Sequence, residues 1–269
     1  MILLRPRRRA AVVAALRAAG CVFPEGEARL LVRAAGSPAE LAGMVGRRVA
    51  GLPLSHVLGW IDFCGLRVAV DPGVFVPRPR TELLVRQARA LARPQAVVVD
   101  LCCGSGAVGA AVAAGVAHVE LHAADIDEAA VECARRNLAG SGGHVHQGDL
   151  YQALPPSLAA RVDLLVANAP YVPTAAIDLL PQEARLHEPG VALDGGRDGL
   201  DVVRRVIAGA PPWLAPGGHL LVEASSPQAP GIAEEMTGAG LRARVARSDV
   251  LDATVVIGST QPARRASAE

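Results

Sequence analysis

The segment at positions 168–171, Asn-Ala-Pro-Tyr, has the residue types needed to hold a flat NH₂ group. The side-chain oxygen of Asn168 can accept one N–H, and the main-chain carbonyl of Ala169 can accept the other. Pro170 restricts Ala169 to an extended conformation, which helps to fix that carbonyl, and Tyr171 offers a flat wall. Because the lone pair of an amide or aromatic amine is shared with a π system, these residues would act by orienting the nitrogen toward an electrophile. The alternative is an ordinary strand-to-loop turn.

A glycine-rich turn follows the predicted strand AVVVDL (96–101) and reads Asp100-Leu-Cys-Cys-Gly104-Ser-Gly106-Ala-Val-Gly109. Glycines permit a tight turn and let the backbone approach a ligand closely. The spacing from Gly104 to Gly109 also matches the dinucleotide fingerprint, which alone is a weak signal. Asp100 favours S-adenosylmethionine over a nicotinamide dinucleotide, because its carboxylate suits an ammonium group and would repel a pyrophosphate.

Two further acids follow the next two predicted strands, HVELHAA (118–124) and HVHQ (144–147). Asp125 stands where an acid that binds the ribose of the cofactor is expected. Asp149 suits an acceptor for the amino group of its adenine, with Leu150 beside the adenine ring. The alternative is that such acids only cap helices. The predicted cofactor-binding residues are Asp100, Cys102, Gly104, Gly106, Asp125, Ile126, Asp149, Leu150 and Asn168.

The elements that must position these residues alternate between strands and helices after residue 80. Further strands are predicted at 162–168 and 218–224, and helices at 82–92 (capped by Thr81), 106–115, 127–139, 199–214 and 228–239. This alternation indicates a mostly parallel sheet covered by helices on both faces. Only four residues separate the predicted strands 241–247 and 252–258 along the chain. So short a connection has no room for a crossover helix and predicts an antiparallel hairpin. The expected fold is α/β, a Rossmann-like class I methyltransferase with a small helical N-terminal domain.

The first part of the chain has a different pattern. Apolar positions at three- and four-residue spacing predict helices over 7–19 and 25–35, and Ser-Pro-Ala-Glu at 37–40 is a capping box. Alternation over 60–70 predicts a hairpin centred near Gly65. The predicted organisation is a helical substrate-recognition domain (1–59), a β-hairpin linker (60–79), a methyltransferase domain (80–260) and a flexible tail (261–269).

Composition excludes several classes of protein. A formal charge of +1 and seven aromatic residues in 269 argue against a nucleic-acid binder. The five cysteines form no CxxC pair, which predicts reduced thiols in the cytoplasm and no metal site. No stretch approaches the roughly 20 apolar residues of a membrane span.

The motifs resemble the HemK-type protein-(glutamine-N5) methyltransferase family, in a variant with Asn-Ala-Pro-Tyr. The resemblance runs from about residue 50 to 258. It is carried by PLSHVLGWIDFCGLRV (53–68), VFVPRPRTELLV (74–85), DLCCGSGAVG (100–109), GDL (148–150), NAPYVPT (168–174) and EPGVALDGGRDGLDVVRRVI (188–207).

This resemblance implies methylation of the glutamine in the Gly-Gly-Gln loop of peptide release factors, with S-adenosylmethionine as methyl donor and S-adenosylhomocysteine as product. It implies that Asn168 and Tyr171 position the glutamine amide. It also implies that Phe75, Pro77 and Arg78 border the cleft and that the helical N-terminal part grips the protein substrate.

The sequence departs from the family at two places near the expected cleft. Ala169 replaces the first proline of Asn-Pro-Pro-Tyr, and Arg80 replaces the glutamate of Pro-Arg-Pro-Glu-Thr-Glu. The residues therefore leave the acceptor open between a release factor, another protein and a small amide. The alternatives are a methyltransferase of an exocyclic amine in nucleic acid, a nicotinamide oxidoreductase, and a S-adenosylmethionine-binding module without catalysis.

Overall fold

The computed structural model describes residues 4–262 and contains a two-stranded and a seven-stranded sheet within them. Residues 263–269, most of the predicted flexible tail, lie outside the described part. The strands are β1 (Trp60–Phe63), β2 (Leu66–Ala69), β3 (Val97–Leu101), β4 (Glu120–Asp125), β5 (His144–Gln147), β6 (Val162–Ala167), β7 (Leu214–Ala224), β8 (Arg242–Ser248) and β9 (Ala253–Ser259).

Helices precede the large sheet in the chain and then alternate with its strands. They are α1 (Leu4–Ala18), α2 (Pro24–Ala34), α3 (Pro38–Val49), α4 (Leu54–Leu58), α5 (Glu82–Leu91), α6 (Ala107–Gly115), α7 (Glu128–Leu138), α8 (Gln182–His187), α9 (Asp201–Gly209) and α10 (Ala229–Gly238). Short 3₁₀ turns include Pro79–Thr81, Leu150–Ala153, Thr174–Leu179 and Gly190–Ala192. None of the helices within 4–262 has the length and apolar content needed to cross a bilayer.

The large sheet has the strand order β5-β4-β3-β6-β7-β9-β8. Strands β3 to β7 pair in parallel, whereas β9 runs antiparallel to both β7 and β8. The strand order reverses beside β3, because β4 and β5 lie on one side of it and β6 on the other. In open α/β sheets such a reversal opens a crevice at the carboxyl ends of the strands. The predicted parallel sheet with a terminal hairpin is confirmed.

The central strands β3, β6 and β9 are buried on both faces and are nearly continuous apolar runs, whereas the edge strands β5 and β8 are polar and partly exposed. One face, with Leu165 and Val222, packs against α9 and α10. The other face, with Val98 and Leu164, packs against α5, α6 and α7. Helices thus cover both faces of the sheet, and its carboxyl edge carries most of the predicted site.

The N-terminal helices have a hydrophobic core of their own, which includes Leu16, Leu31 and Met44. The predicted capping box is confirmed, because the Ser37 hydroxyl accepts the N–H of Glu40 at 3.1 Å. The Glu40 carboxylate accepts the N–H of Gly36 at 2.7 Å, one residue before the cap. The predicted hairpin is also confirmed, with β1 and β2 antiparallel around Gly65.

Two local predictions were wrong. The helix predicted over 199–214 runs only from Asp201 to Gly209, because Gly199 has φ +80° and Pro211 follows the end. Leu214 already pairs with Val162 as the first residue of β7. Thr81 precedes α5, but its side chain makes no capping bond, because the 3₁₀ turn Pro79–Thr81 runs directly into the helix.

A glycine-rich loop at 194–200 supports the Asn-Ala-Pro-Tyr segment from behind. A Cβ atom on Gly195 would lie 2.7 Å from the carbonyl oxygen of Pro170, and one on Gly199 would collide with the carbonyl oxygen of Tyr171. The side-chain amide of Gln228 donates to the carbonyls of Tyr171 (3.0 Å) and Asp198 (3.2 Å), joining the two segments. The absence of side chains at these glycines therefore allows the backbones to touch.

The substitution Gly199→Ala tests this support. Gly240→Ala is its matched control, because Gly240 has φ +83° and only open space around a new Cβ. Positive φ alone costs an alanine about 1 kcal/mol, so we expect that loss of unfolding free energy for Gly240→Ala. Gly199→Ala should lose clearly more, since the clash adds to the strain. Equal losses in urea titrations would contradict a tight backbone contact.

Candidate active site

The crevice beside β3 contains a cavity formed at the carboxyl ends of β3, β4, β5 and β6, here called the first cavity. Many of the residues that the sequence singled out line it. Its lining includes Phe75, Pro77, Asp100, Cys102, Gly104, Asp125, Ile126, Asp149, Leu150, Asn168 and Pro170. The segments predicted to bind one ligand therefore meet at one place.

Asp125, the last residue of β4, fixes the glycine turn after β3. Its carboxylate accepts the N–H of Gly104 at 2.8 Å and the N–H of Asp127 at 3.0 Å. Burial raises the pKa of Asp125, and the backbone N–H groups oppose that rise. Gly104 has φ +52°, and nothing lies within 4 Å of a Cβ placed on it. The turn thus presents bare backbone to the first cavity.

Asp100 is almost fully buried at the end of β3, and one of its oxygens accepts the N–H of Gly109 at 2.8 Å. Burial raises the pKa of Asp100 to about 7, and the nearby Asp125 carboxylate adds to the rise. A buried carboxylate without a cation favours a positively charged ligand group. The site therefore fits an ammonium group and disfavours a pyrophosphate.

Asp149 and Leu150 follow β5, as predicted. Asp149 makes no capping bond to the turn Leu150–Ala153, so the capping alternative is wrong for it. It forms an ion pair with Arg205 at 2.6 Å, a partner that the sequence analysis missed. Leu150 lines the first cavity with φ +49°. Ile126 also lines it while 53% exposed, so two aliphatic side chains are available to a flat ring.

Gly106 was predicted to bind the cofactor; it does not line the first cavity itself, although its neighbours Ser105 and Ala107 do. A Cβ on Gly106 would lie 3.1 Å from the Cβ of Ala134 and 3.3 Å from Leu138 on α7. Its φ of +74° and this close approach both require glycine. Packing between the turn and α7 thus requires glycine at this position, and cofactor binding by Gly106 stays a prediction.

The thiols of Cys102 and Cys103 do not suit nucleophilic chemistry. Burial raises the pKa of both thiols well above the usual range, and the Asp100 and Asp125 carboxylates raise it further. Among residues 4–262, no group of three or more His, Cys, Asp or Glu side chains is arranged to hold a metal ion.

A second cavity lies on the other side of the Asn-Ala-Pro-Tyr segment and shares Phe75, Asn168, Pro170 and Ala192 with the first. Its remaining lining is Arg78, Arg80, Ala169, Tyr171, Val172, Leu180, Pro181, Glu183, Ala184 and Leu193. Asn168 lies between the two cavities, and no group within residues 4–262 is hydrogen-bonded to its side-chain amide. The amide is therefore available to a ligand at the junction.

Tyr171 forms one wall of the second cavity. Its hydroxyl donates to Oε1 of Glu223 at 3.2 Å, and the Arg80 guanidinium lies 5.7 Å from its ring centre. Burial and the Glu223 carboxylate raise the pKa of the Tyr171 phenol, so it remains neutral and cannot act as a base. Glu223 was missed, although it stands near the end of a strand, as Asp100 and Asp125 do.

The Pro-Arg-Pro segment is tied to the loop that contains Glu188. A terminal nitrogen of Arg78 donates to both oxygens of Glu188, at 2.6 and 2.7 Å. The Arg78 guanidinium also lies 5.0 Å from the ring centre of Phe75. Because Phe75 lines both cavities, this ion pair helps to hold the wall at their junction.

Comparison with known proteins places the chain in a family. Residues 65–188 match the model of the "Methyltransferase small domain". A release factor glutamine methyltransferase of Geobacter sulfurreducens is 40% identical over 198 residues, which cover 72% of this chain and 69% of that protein. A release factor glutamine methyltransferase of Streptomyces coelicolor is 42% identical over 189 residues, which cover 69% of this chain and 67% of that protein. The chain belongs to the release factor glutamine methyltransferase family. The predicted S-adenosylmethionine-dependent methyltransferase is thereby confirmed.

Solved structures agree on the fold. A methyltransferase from Pyrococcus furiosus is 18% identical with a TM-score of 0.56, covering 73% of this chain and 90% of that one. A T. thermophilus 16S rRNA N2 methyltransferase, solved with AdoMet and guanosine, is 20% identical with a TM-score of 0.52, covering 75% and 50%. The Rossmann-like class I fold is therefore confirmed.

The substitution Asp100→Asn tests the electrostatics of the first cavity. Between about pH 4 and 7 folded Asp100 binds a proton that the unfolded chain releases, so the free energy of unfolding should fall as pH rises. Its slope reaches at most about 1.4 kcal/mol per pH unit, and the variant should lose that contribution. Urea titrations of ligand-free protein across this range measure it. Asp249→Asn, in an exposed turn, is the control and should keep the wild-type slope. Equal slopes for the wild type, Asp100→Asn and Asp249→Asn would refute a raised pKa of buried Asp100.

Proposed function

We propose that this chain methylates the side-chain amide nitrogen, N5, of a glutamine in a protein, and that this protein is a peptide release factor. The observation that supports it best is the Asn168 amide, which has no partner within the described residues and lies at the junction of two cavities. The relatives' name, release factor glutamine methyltransferase, supports the choice of acceptor. Five free cysteines favour the cytoplasm as the location.

In the first cavity the residues fit S-adenosylmethionine, which supplies a methyl group on a sulfonium. The buried Asp100 carboxylate would hold the ammonium group, and Asp125 would accept the ribose hydroxyls while it keeps the glycine turn in place. Asp149 would accept the adenine amino group. Leu150 and Ile126 would pack against the ring. The charge of each side chain and its position in the lining support these roles.

In the second cavity Asn168 and Ala169 would orient the acceptor. The Asn168 side-chain oxygen would accept one N–H of the glutamine amide, and the Ala169 carbonyl would accept the other. The ring of Tyr171 would lie against the plane of the amide on the side of the second cavity. No strong base is needed, because the proton becomes acidic once the nitrogen carries the methyl group. The chain's contribution is therefore orientation, which can supply several kcal/mol of the barrier.

The substitution Asn168→Ala should lower kcat by about 100-fold, because the acceptor nitrogen loses its alignment. The affinity for S-adenosylmethionine should change little, since the acids of the first cavity remain. The assay is incubation with methyl-labelled S-adenosylmethionine and a release factor, followed by mass mapping of the modified peptide. Label on any residue other than glutamine, or full activity of the variant, would contradict the proposal.

The substitution Asp125→Ala should instead weaken S-adenosylmethionine binding. Loss of hydrogen bonds to a charged group costs about 2 kcal/mol, or roughly 30-fold in Kd. Calorimetric titration measures this, with the exposed Asp249→Ala as the matched control. Unaltered binding by Asp125→Ala would remove Asp125 from the ribose site.

A further inference from the structure

We propose that Arg48, a residue of the N-terminal helices, positions one wall of the second cavity. It does so through an ion pair with Glu183 on α8, the short helix that contributes to this wall. The inference rests on the proposed function, because it makes the helical part of the chain a component of the acceptor site. The evidence comes from the contacts of Arg48, from the burial of α8, and from the position of each relative to the second cavity.

The side chain of Arg48, on α3, is held inside the N-terminal helices and is only 7% exposed. Its Nε and one terminal nitrogen donate to the two oxygens of Glu27 on α2, at 2.6 and 3.2 Å. The other terminal nitrogen donates to the carbonyl of Leu52 at 3.1 Å. These bonds fix the direction of the guanidinium from two sides.

One further contact of this guanidinium leaves the N-terminal helices. The terminal nitrogen that binds Glu27 also lies 2.7 Å from Oε1 of Glu183. Glu183 lines the second cavity, whereas Arg48 is not one of the described lining residues. Arg48 therefore acts on an acceptor in this cavity only through Glu183.

The helix α8 needs such contacts because it has only six residues. Helices this short are not stable by themselves, and within α8 only Ala184 is buried. Ion pairs hold it at both ends. Glu183, near its start, binds Arg48, and Glu188, directly after its end, binds Arg78. The position of this wall thus depends on charges supplied by two other parts of the chain.

A second contact from the N-terminal helices reaches another wall of the second cavity. The Nε2 of His56, on α4, donates to the carbonyl of Val74 at 2.9 Å. Val74 precedes Phe75, which lines both cavities. Val57 of α4 and Met44 of α3 belong to the same hydrophobic core. The core that carries Arg48 therefore supports the second cavity at two separate places.

Hydrogen exchange tests whether the ion pair holds α8. The substitution Glu183→Met removes the acceptor and leaves helix propensity nearly unchanged. The N–H groups of Arg185 and Glu188 donate within this segment and report on its opening. Exchange over residues 181–188 of ligand-free protein, followed by mass spectrometry, should accelerate by about tenfold, the effect of losing one hydrogen bond between charged groups. The strands of the large sheet should exchange as in the wild type.

Glu25→Met is the matched control. Glu25, like Glu183, is the second residue of its helix and pairs with an arginine. Its partner Arg17 is exposed, and both residues lie in the N-terminal helices. The control should leave exchange over 181–188 at the wild-type rate.

A second variant breaks the ion pair from the other side. Glu27→Gln combined with Arg48→Gln removes both buried charges together, so that neither is left uncompensated in the helices. Exchange over 181–188 should accelerate as in Glu183→Met. Adding Glu183→Met to this pair should cause no further acceleration, because the interaction is already lost. Additive effects would show that Glu183 acts independently of Arg48 and would overturn the inference.

Kinetics with a short acceptor test the consequence for the site. With saturating S-adenosylmethionine and acetyl-Gly-Gly-Gln-Ala-amide, KM should rise about fivefold in Glu183→Met and in the Glu27→Gln, Arg48→Gln pair, because apparent affinity falls with the fraction of molecules whose wall is in place. The kcat at saturating peptide and the affinity for S-adenosylhomocysteine should remain those of the wild type. A loss confined to kcat, or an unchanged KM, overturns the inference.

The exchange experiment separates this inference from the proposed function, because it requires no methyl transfer. Faster exchange over 181–188 in the absence of any glutamine methylation means that the proposed function fails while Arg48 still holds the wall. Calorimetric titration of the same peptide in the presence of S-adenosylhomocysteine then measures the effect of the wall on binding. Exchange in Glu183→Met at the wild-type rate overturns the inference, whatever the activity of the variant.

Discussion

The close contact between the glycine loop at 194–200 and the carbonyls of Pro170 and Tyr171 is the constraint on which the site depends. Asn168 lies at the junction of the two cavities, and the backbone that follows it, at Pro170 and Tyr171, is packed directly against the glycine loop. Relatives of the Asn-Pro-Pro-Tyr type carry an additional proline, whereas Ala169 leaves more freedom to the backbone here. The contact with Gly195 and Gly199 and the bridge from Gln228 supply the rigidity instead.

A second constraint is the balance of charge around the glycine turn. Asp125 uses its carboxylate to hold the N–H of Gly104, so a residue expected to meet the ribose also shapes the turn before any ligand binds. Asp100 uses one oxygen in the same way with Gly109. Both carboxylates are kept in poorly hydrated surroundings, which raises their pKa values. A cationic ligand therefore relieves an unfavourable interaction that folding creates.

Much of this could be predicted from the sequence because the signals are local. Runs of Val and Leu identify strands buried on both faces, and an acid after each strand must lie at the carboxyl edge of a parallel sheet. Contacts between distant segments could not be predicted. The pair of Asp149 with Arg205 joins residues 56 positions apart, and the packing of Gly106 on α7 depends on how two helices approach. Glu223 was missed because its partner Arg80 lies 143 positions away.

The residue at the junction of the two cavities is neutral, whereas most charged side chains around it are already paired. Asp149 pairs with Arg205 at the first cavity, and Arg78 and Arg80 pair with Glu188 and Glu223 at the second. Asp100 differs, because it is buried without such a partner among the described residues and accepts only the N–H of Gly109. The first cavity therefore has an acid left for a cationic ligand, while the amide of Asn168 adds no charge beside it and can present an oxygen to an incoming N–H.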